Sequence, residues 1–196
     1  LALSKAEKLS DKRLAIIPSF EKQLMEKVAY LGMPNIRFEC KVVAEEELDL
    51  YGKDSLLFLF SANKNAPLQP VANVASGGEI SRLMLCIKSM IAGATALPTI
   101  IFDEIDTGVS GEIADKMGQV MLDFGKNMQV LAITHLPQIA AKGKAHYKVY
   151  KSDTETETVT NLISLTKEER LDEIARMLSG ATVTDAAIQN ARTMLG

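Results

Sequence analysis

Pro98-Thr99-Ile100-Ile101-Phe102-Asp103-Glu104 decides the fold. Thr99 to Phe102 is short, apolar and rich in β-branched residues, which fits a strand buried in a parallel sheet. It ends in two adjacent carboxylates, and charges placed directly after a buried strand need a reason. Ligands of parallel α/β sheets bind outside the carboxyl ends of the strands. An Asp there can reach the Mg²⁺ ion of a nucleotide, and the following Glu can act on water as a general base. The plain alternative is a pair of solvated acids opening a loop.

Downstream, residues 110–126 read as a helix and Met128 to Thr134 as a second buried strand. That strand ends in Thr134-His135, where an imidazole can donate to a γ-phosphate or orient water, or else serve as a cap or core residue. Leu136 to Lys142 is a short helix, and Tyr147–Lys151 and Thr158–Leu165 are late strands. Thr166-Lys167-Glu168-Glu169 is a capping box that starts a helix ending at Gly180, and a last helix covers about 183–195. Upstream, Ser76-Gly77-Gly78-Glu79 opens a helix that runs to about Ala94. A glycine pair at a helix N-terminus lets phosphate oxygens approach unpaired N–H groups, although an ordinary N-cap is the commoner use of such a serine. Strand and helix alternate through this stretch, which predicts a parallel sheet with helices packed on it. His146 lacks a comparable setting and reads as structural or solvated.

The N-terminal third is different. Residues 3–31 form a helical pattern with apolar positions Leu14, Ile17, Phe20, Leu24, Val28 and Leu31. Pro18 predicts a kink or a break into two helices, and Gly32 and Pro34 stop the pattern. Ile36, Phe38, Cys40 and Val42 alternate with polar residues as in a half-buried strand. Ser55 to Phe60 is its antiparallel partner, with Glu45-Glu46-Glu47 and Tyr51 to Asp54 in the connection. The domain division expected is 1–34, a helix at the root of a coiled coil, and 35–196, an α/β lobe.

The chain has 196 residues, long enough to bury a core without staples. Aromatics are 5% with no Trp, so an aliphatic core containing many of the nine Met is expected. A net charge of −3 excludes a generally basic nucleic-acid binder. The loose basic stretch Lys142, Lys144, Lys148 and Lys151 reads as solvated surface rather than a DNA contact. Two unclustered cysteines, Cys40 and Cys86, cannot make a zinc site, and Cys86 reads as a small buried hydrophobe. No apolar run reaches the roughly 20 residues of a membrane span, and a cytoplasmic location is the default expectation. The first residue is Leu1, and the chain reads as a piece of something longer.

No G-x-x-x-x-G-K-[ST] occurs: Gly52-Lys53, Gly125-Lys126 and Gly143-Lys144 lack the earlier Gly and the following Ser or Thr. A candidate metal Asp, base and phosphate-sensing His are present without a phosphate cradle. A complete nucleotidase cannot be built from these residues alone.

In this order the pieces resemble the C-terminal half of an ABC-type ATPase head. Ala75-Ser76-Gly77-Gly78-Glu79 looks like its signature motif, Ile100 to Glu104 like Walker B with the catalytic Glu, and His135 like the switch His. The stretches 74–82, 102–111 and 133–141, with Glu173 to Gly180, are similar to the RecN family of bacterial DNA repair proteins, which are SMC-like. The resemblance covers about 55–196, and the preceding helix fits a coiled-coil root. It implies a fold: the C-terminal lobe of an ABC/SMC-type P-loop ATPase head, with a parallel sheet and flanking helices behind an antiparallel strand pair. It implies Asp103 as metal ligand, Glu104 and His135 as catalytic residues, and Ser76, Gly77, Gly78 and Glu79 as nucleotide-binding. The cofactors implied are ATP and Mg²⁺, both needing a Walker A lobe that lies earlier in the family's plan. The partners implied are that N-terminal lobe, a second head across sandwiched ATP, and DNA, with no membrane. The activity implied is ATP hydrolysis in double-strand break repair by recombination, in the cytoplasm or at the nucleoid, with this chain inactive alone.

The sequence departs from the ABC pattern in having Ala75 where most have Leu and Glu79 where many have Gln. The D-loop usually ends in Asp where this chain has Ser110; Asp106 is nearby but offset, so neither takes that role. The competing readings are another SMC-like or RecF-like ATPase lobe, and a non-catalytic interaction lobe. Thr107 to Gly111 and Leu136-Pro137-Gln138 favour the RecN family over other SMC relatives.

Overall fold

The computed structural model describes residues 1–73, 77–91, 97–103, 105–109, 111–153, 157–180 and 182–196. It divides into two units, Leu1–Thr95 and Ala96–Gly196. The first begins with α1 (Ala2–Tyr30), which runs through Pro18 unbroken. Proline removes one backbone hydrogen bond and crowds the carbonyl four residues back. Here the helix is anchored on both sides of it. Ala6 and Ser10 are buried before it, and Leu24 and Val28 are fully buried after it. The predicted break is therefore absent. The inward stripe also differs from the expected one, because Leu14 is 54% exposed and Arg13 turns inward in its place. Arg13 donates to Asp54 Oδ2 at 3.1 Å and to the Tyr51 carbonyl at 2.7 Å. Burial pushes the Asp54 carboxyl up, but the Ser10 hydroxyl and the Arg13 guanidinium outweigh it and hold the carboxyl below its ordinary value.

The helix ends in a Schellman turn: Met33 N–H reaches Val28 O at 3.2 Å and Gly32 N–H reaches Ala29 O at 3.0 Å. Gly32 takes φ +81°, which a side chain would oppose. Strands β1 (Arg37–Asp49) and β2 (Gly52–Ser61) follow as an antiparallel hairpin, with β3 (Gln69–Pro70) on the outer edge of β2. Glu45-Glu46-Glu47 lies within β1 rather than in the connection, which is only Leu50-Tyr51. The register slips between Ala44 and Asp49, so this acidic run is an irregular, solvent-facing end of the strand. Phe20 of α1 meets Phe38 and Phe58 of the hairpin at centroid distances of 6.1 and 6.2 Å. Aromatic rings thus join Leu24, Val28 and Leu31 in this core, which is not the purely aliphatic one expected. Helix α2 (Gly77–Ile91) packs on α1, and Leu83, Leu85 and Cys86 are its buried residues. Burial pushes the Cys86 thiol up to about 12, as a small core hydrophobe requires.

The second unit opens with a β-α-β crossover. Strand β4 (Thr99–Asp103) lies parallel to β5 (Gln129–Ile133), joined through α3 (Gly111–Phe124). Phe102 points to the α3 side and meets Phe124 at 5.8 Å. The opposite face carries Ile101 (62% exposed), Leu131 and Ile133 (56% exposed). The two strands are covered on one side, not buried on both as their apolar runs predict. Helix α4 (Pro137–Lys142) follows, then an antiparallel pair β6 (Tyr147–Asp153) and β7 (Thr158–Ser164). Helix α5 (Lys167–Ser179) starts at the predicted capping box, with both reciprocal bonds between Thr166 and Glu169 formed. Helix α6 (Asp185–Leu195) closes the unit. Ile174, Ala175, Ala187 and Ala191 form the core where α5 and α6 pack with Ala141.

Candidate functional site

The crossover places two loops side by side. Asp103, the last residue of β4, pairs in register with Ile133, the last residue of β5. The carboxyl ends of the two strands therefore lie side by side, with Thr134 and His135 following Ile133 directly. Asp103 is exposed there, as a carboxylate must be to meet a metal ion from solvent. Glu104 and Ser76 lie outside the described residues. His135 follows β5 with its side chain 66% exposed.

The loop after β4 turns sharply. Val109 N–H donates to Asp106 O at 3.1 Å across a β-turn whose third residue, Gly108, has φ +73°. Positive φ at that position is what a type II turn demands and what glycine supplies. Val109 is buried and pins the turn to the unit. At its start Asp106 is 1% exposed, the opposite environment from Asp103. The Thr134 hydroxyl donates to Asp106 Oδ2, and Thr134 Oγ1 in turn accepts Leu136 N–H at 3.0 Å. His135 Nδ1 stands 3.6 Å from Asp106 Oδ1. The structure thus gathers Asp106, Thr134 and His135, and Asp106 is the residue to which the sequence assigned no role. A signal for it was present in Asp106-Thr107-Gly108-Val109, a turn sequence that fixes where the aspartate sits. Its burial was not legible.

Gly77, Gly78 and Glu79 form the first turn of α2, in the other unit. A Cβ built on Gly77 meets none of the described residues within 4 Å, so none of their side chains crowds this position. Backbone N–H groups with free access are the donor set an anion needs. The exposed Asp103 likewise fits Mg²⁺, which binds through one or two carboxylates together with phosphate oxygens. Among the described residues there is no group of three or more acidic, His or Cys side chains of the kind that would hold a metal alone. Two of the four lysines of the basic stretch are used internally: Lys142 pairs with Asp115 at 2.9 Å, and Lys148 pairs with Glu173. No helix among the described residues is long and apolar enough to cross a membrane.

No protein-family model matches the chain. It is 42% identical over 190 residues to the DNA repair protein RecN of Deinococcus radiodurans, covering 97% of this chain and 31% of that protein. It is 38% identical over 190 residues to RecN of Rickettsia felis, covering 97% of this chain and 35% of that protein. The chain therefore spans about a third of the length of the curated relatives it matches. Among solved structures, the Smc head domain of Pyrococcus yayanosii, with its coiled coil and joint, superposes with a TM-score of 0.58 at 18% identity, covering 82% of this chain and 29% of that one. A chain from a structural study of ATP-driven dimerization and DNA-stimulated activation of SMC ATPases gives 0.52 at 16% identity, covering 88% and 99%. At these identities the likeness establishes the fold, an α/β lobe of an SMC-type head.

Proposed function

The chain belongs to the RecN family over the segment it covers, and from that premise we propose that it supplies half of an ATP-hydrolysing, SMC-like head acting in DNA double-strand break repair and recombination. The observation that supports this reading is the register of β4 with β5, which sets Asp103 beside Ile133, two residues before His135. Asp103 would hold Mg²⁺, which would supply charge neutralisation to the phosphates of a bound nucleotide. Glu104 takes one proton of the attacking water, and His135 orients that water at the γ-phosphate. Gly77, Gly78 and Glu79 present the N–H groups of the first turn of α2 to ATP held by a second head, and the Ser76 hydroxyl donates to a phosphate oxygen. Residues 1–34 are the root of a coiled coil and 35–196 the lobe itself. The uncovered face at Ile101, Leu131 and Ile133 is where the N-terminal Walker A lobe of the same protein docks, since parallel sheets are covered on both faces. The setting is the cytoplasm, on DNA.

The test uses the full-length protein. Glu104→Gln keeps the side-chain shape but cannot accept a proton, so turnover falls by about 10²–10⁴-fold while ATP still binds and sandwiches two heads. Asp103→Ala weakens nucleotide binding instead. Adding Gly77→Asp to Glu104→Gln puts a bulky negative charge before the phosphate and abolishes the ATP-dependent dimer in sizing chromatography. A double variant that dimerises as well as Glu104→Gln reduces Ser76 to a helix cap. Wild-type turnover by Glu104→Gln removes the base assignment and favours a non-catalytic lobe.

A further inference from the structure

A carboxylate 1% exposed costs stability unless its oxygens are satisfied. Asp106 satisfies one of them: Oδ2 accepts the Thr134 hydroxyl, which is itself held by Leu136 N–H. Oδ1 is buried and receives no hydrogen bond. The imidazole of His135 faces that oxygen, with Nδ1 at 3.6 Å, a few tenths of an ångström beyond hydrogen-bond reach. The backbone of Asp106 is fixed by the Gly108 turn and by buried Val109, so the carboxylate cannot follow a moving ring. The exposed ring must come to it.

We infer that Asp106 is a positioning residue for His135: its buried Oδ1 accepts Nδ1–H, fixes the ring plane and the tautomer, and leaves Nε2 unprotonated, an acceptor that orients the attacking water. This rests on the proposed role of His135 in hydrolysis. It also gives the two loops at the sheet edge a physical link, because the Asp106–Thr134 contact holds the segment after Glu104 to the segment that carries His135. In neutral histidine only one ring nitrogen is protonated, and the hydrogen bond made by one nitrogen sets what the other can do.

The experiment measures ATP turnover and nucleotide affinity of the full-length protein with Asp106→Asn, His135→Ala and both together. Asn keeps the shape and the Thr134 contact but turns a donor toward Nδ1. A misplaced catalytic group costs about 10²-fold, so Asp106→Asn lowers kcat by that order, leaves KM and ATP affinity unchanged, and has no further effect when His135 is Ala. Thr134→Val, which frees the carboxylate without altering it, gives a smaller loss with the same pattern, and it replaces Asp106→Asn should that variant misfold. The imidazole ¹⁵N shifts of His135, recognised by their loss in His135→Gln, give a reading independent of turnover. They show Nδ1–H in the wild type and a shift toward Nε2–H in Asp106→Asn. An Asp106→Asn loss that is equal in both His135 backgrounds, with unchanged ¹⁵N shifts, overturns the positioning role. If His135→Ala leaves turnover untouched while the tautomer still depends on Asp106, the hydrolytic reading of His135 fails and the positioning stands.

Discussion

Asp103 and Asp106 are the same residue three positions apart, and the fold gives them opposite environments. Asp103 ends a strand and faces solvent, whereas Asp106 starts a turn and is 1% exposed. The strand end was legible because an apolar run stopping at a charge marks it. The burial of Asp106 was not, because it depends on Thr134 and His135, about thirty residues on. His146 shows the same limit. Its Nδ1 is buried without a hydrogen bond. Burial, reinforced by the nearby Arg170 and Lys148 charges and only partly opposed by Glu173, holds its pKa below the ordinary value. The folded chain then binds fewer protons at this site than the unfolded one, whose imidazole titrates near 6.5. Its contribution is fully present above about pH 6.5 and is lost as pH falls toward and through the lower folded value. Urea midpoints should therefore drop between about pH 7 and pH 5.5, and His146→Gln should flatten that dependence. An unchanged slope in His146→Gln would show that the imidazole is not the group responsible.

At the scale of elements, local pattern succeeded where a motif is self-contained. The Thr166–Glu169 box starts α5 where expected, because both of its bonds lie within four residues. It failed where packing decides. Pro18 predicts a kink or a break, and α1 is unbroken because it is anchored on both sides; a triplet of glutamates reads as a loop although it lies within β1. Two short apolar runs predict fully buried strands, yet one face of β4 and β5 is bare. Restoring the lost N–H and removing the ring clash in Pro18→Ala should stabilise the chain by roughly 1–3 kcal/mol, read as a higher urea midpoint. A lower midpoint would mean that the proline shapes α1 for its contacts with the hairpin.

For the whole molecule, the division of labour is the central claim. The motif order along the chain named the α/β lobe and its family, since the residues that mark it are short and local. The division into Leu1–Thr95 and Ala96–Gly196 was not readable, because no linker-like run of Pro, Gly or Ser marks it in the sequence. The exposed apolar face at Ile101 and Ile133 and the lack of a phosphate-loop sequence are what the proposal of a second, Walker A lobe rests on. The most direct measurement is steady-state ATP turnover by the 196-residue chain, alone and mixed with the N-terminal segment of a RecN relative that carries the phosphate loop. The account predicts no turnover by the chain alone, turnover on mixing, and loss of that turnover with Glu104→Gln. Hydrolysis by the purified chain alone, abolished by Glu104→Gln, would contradict it.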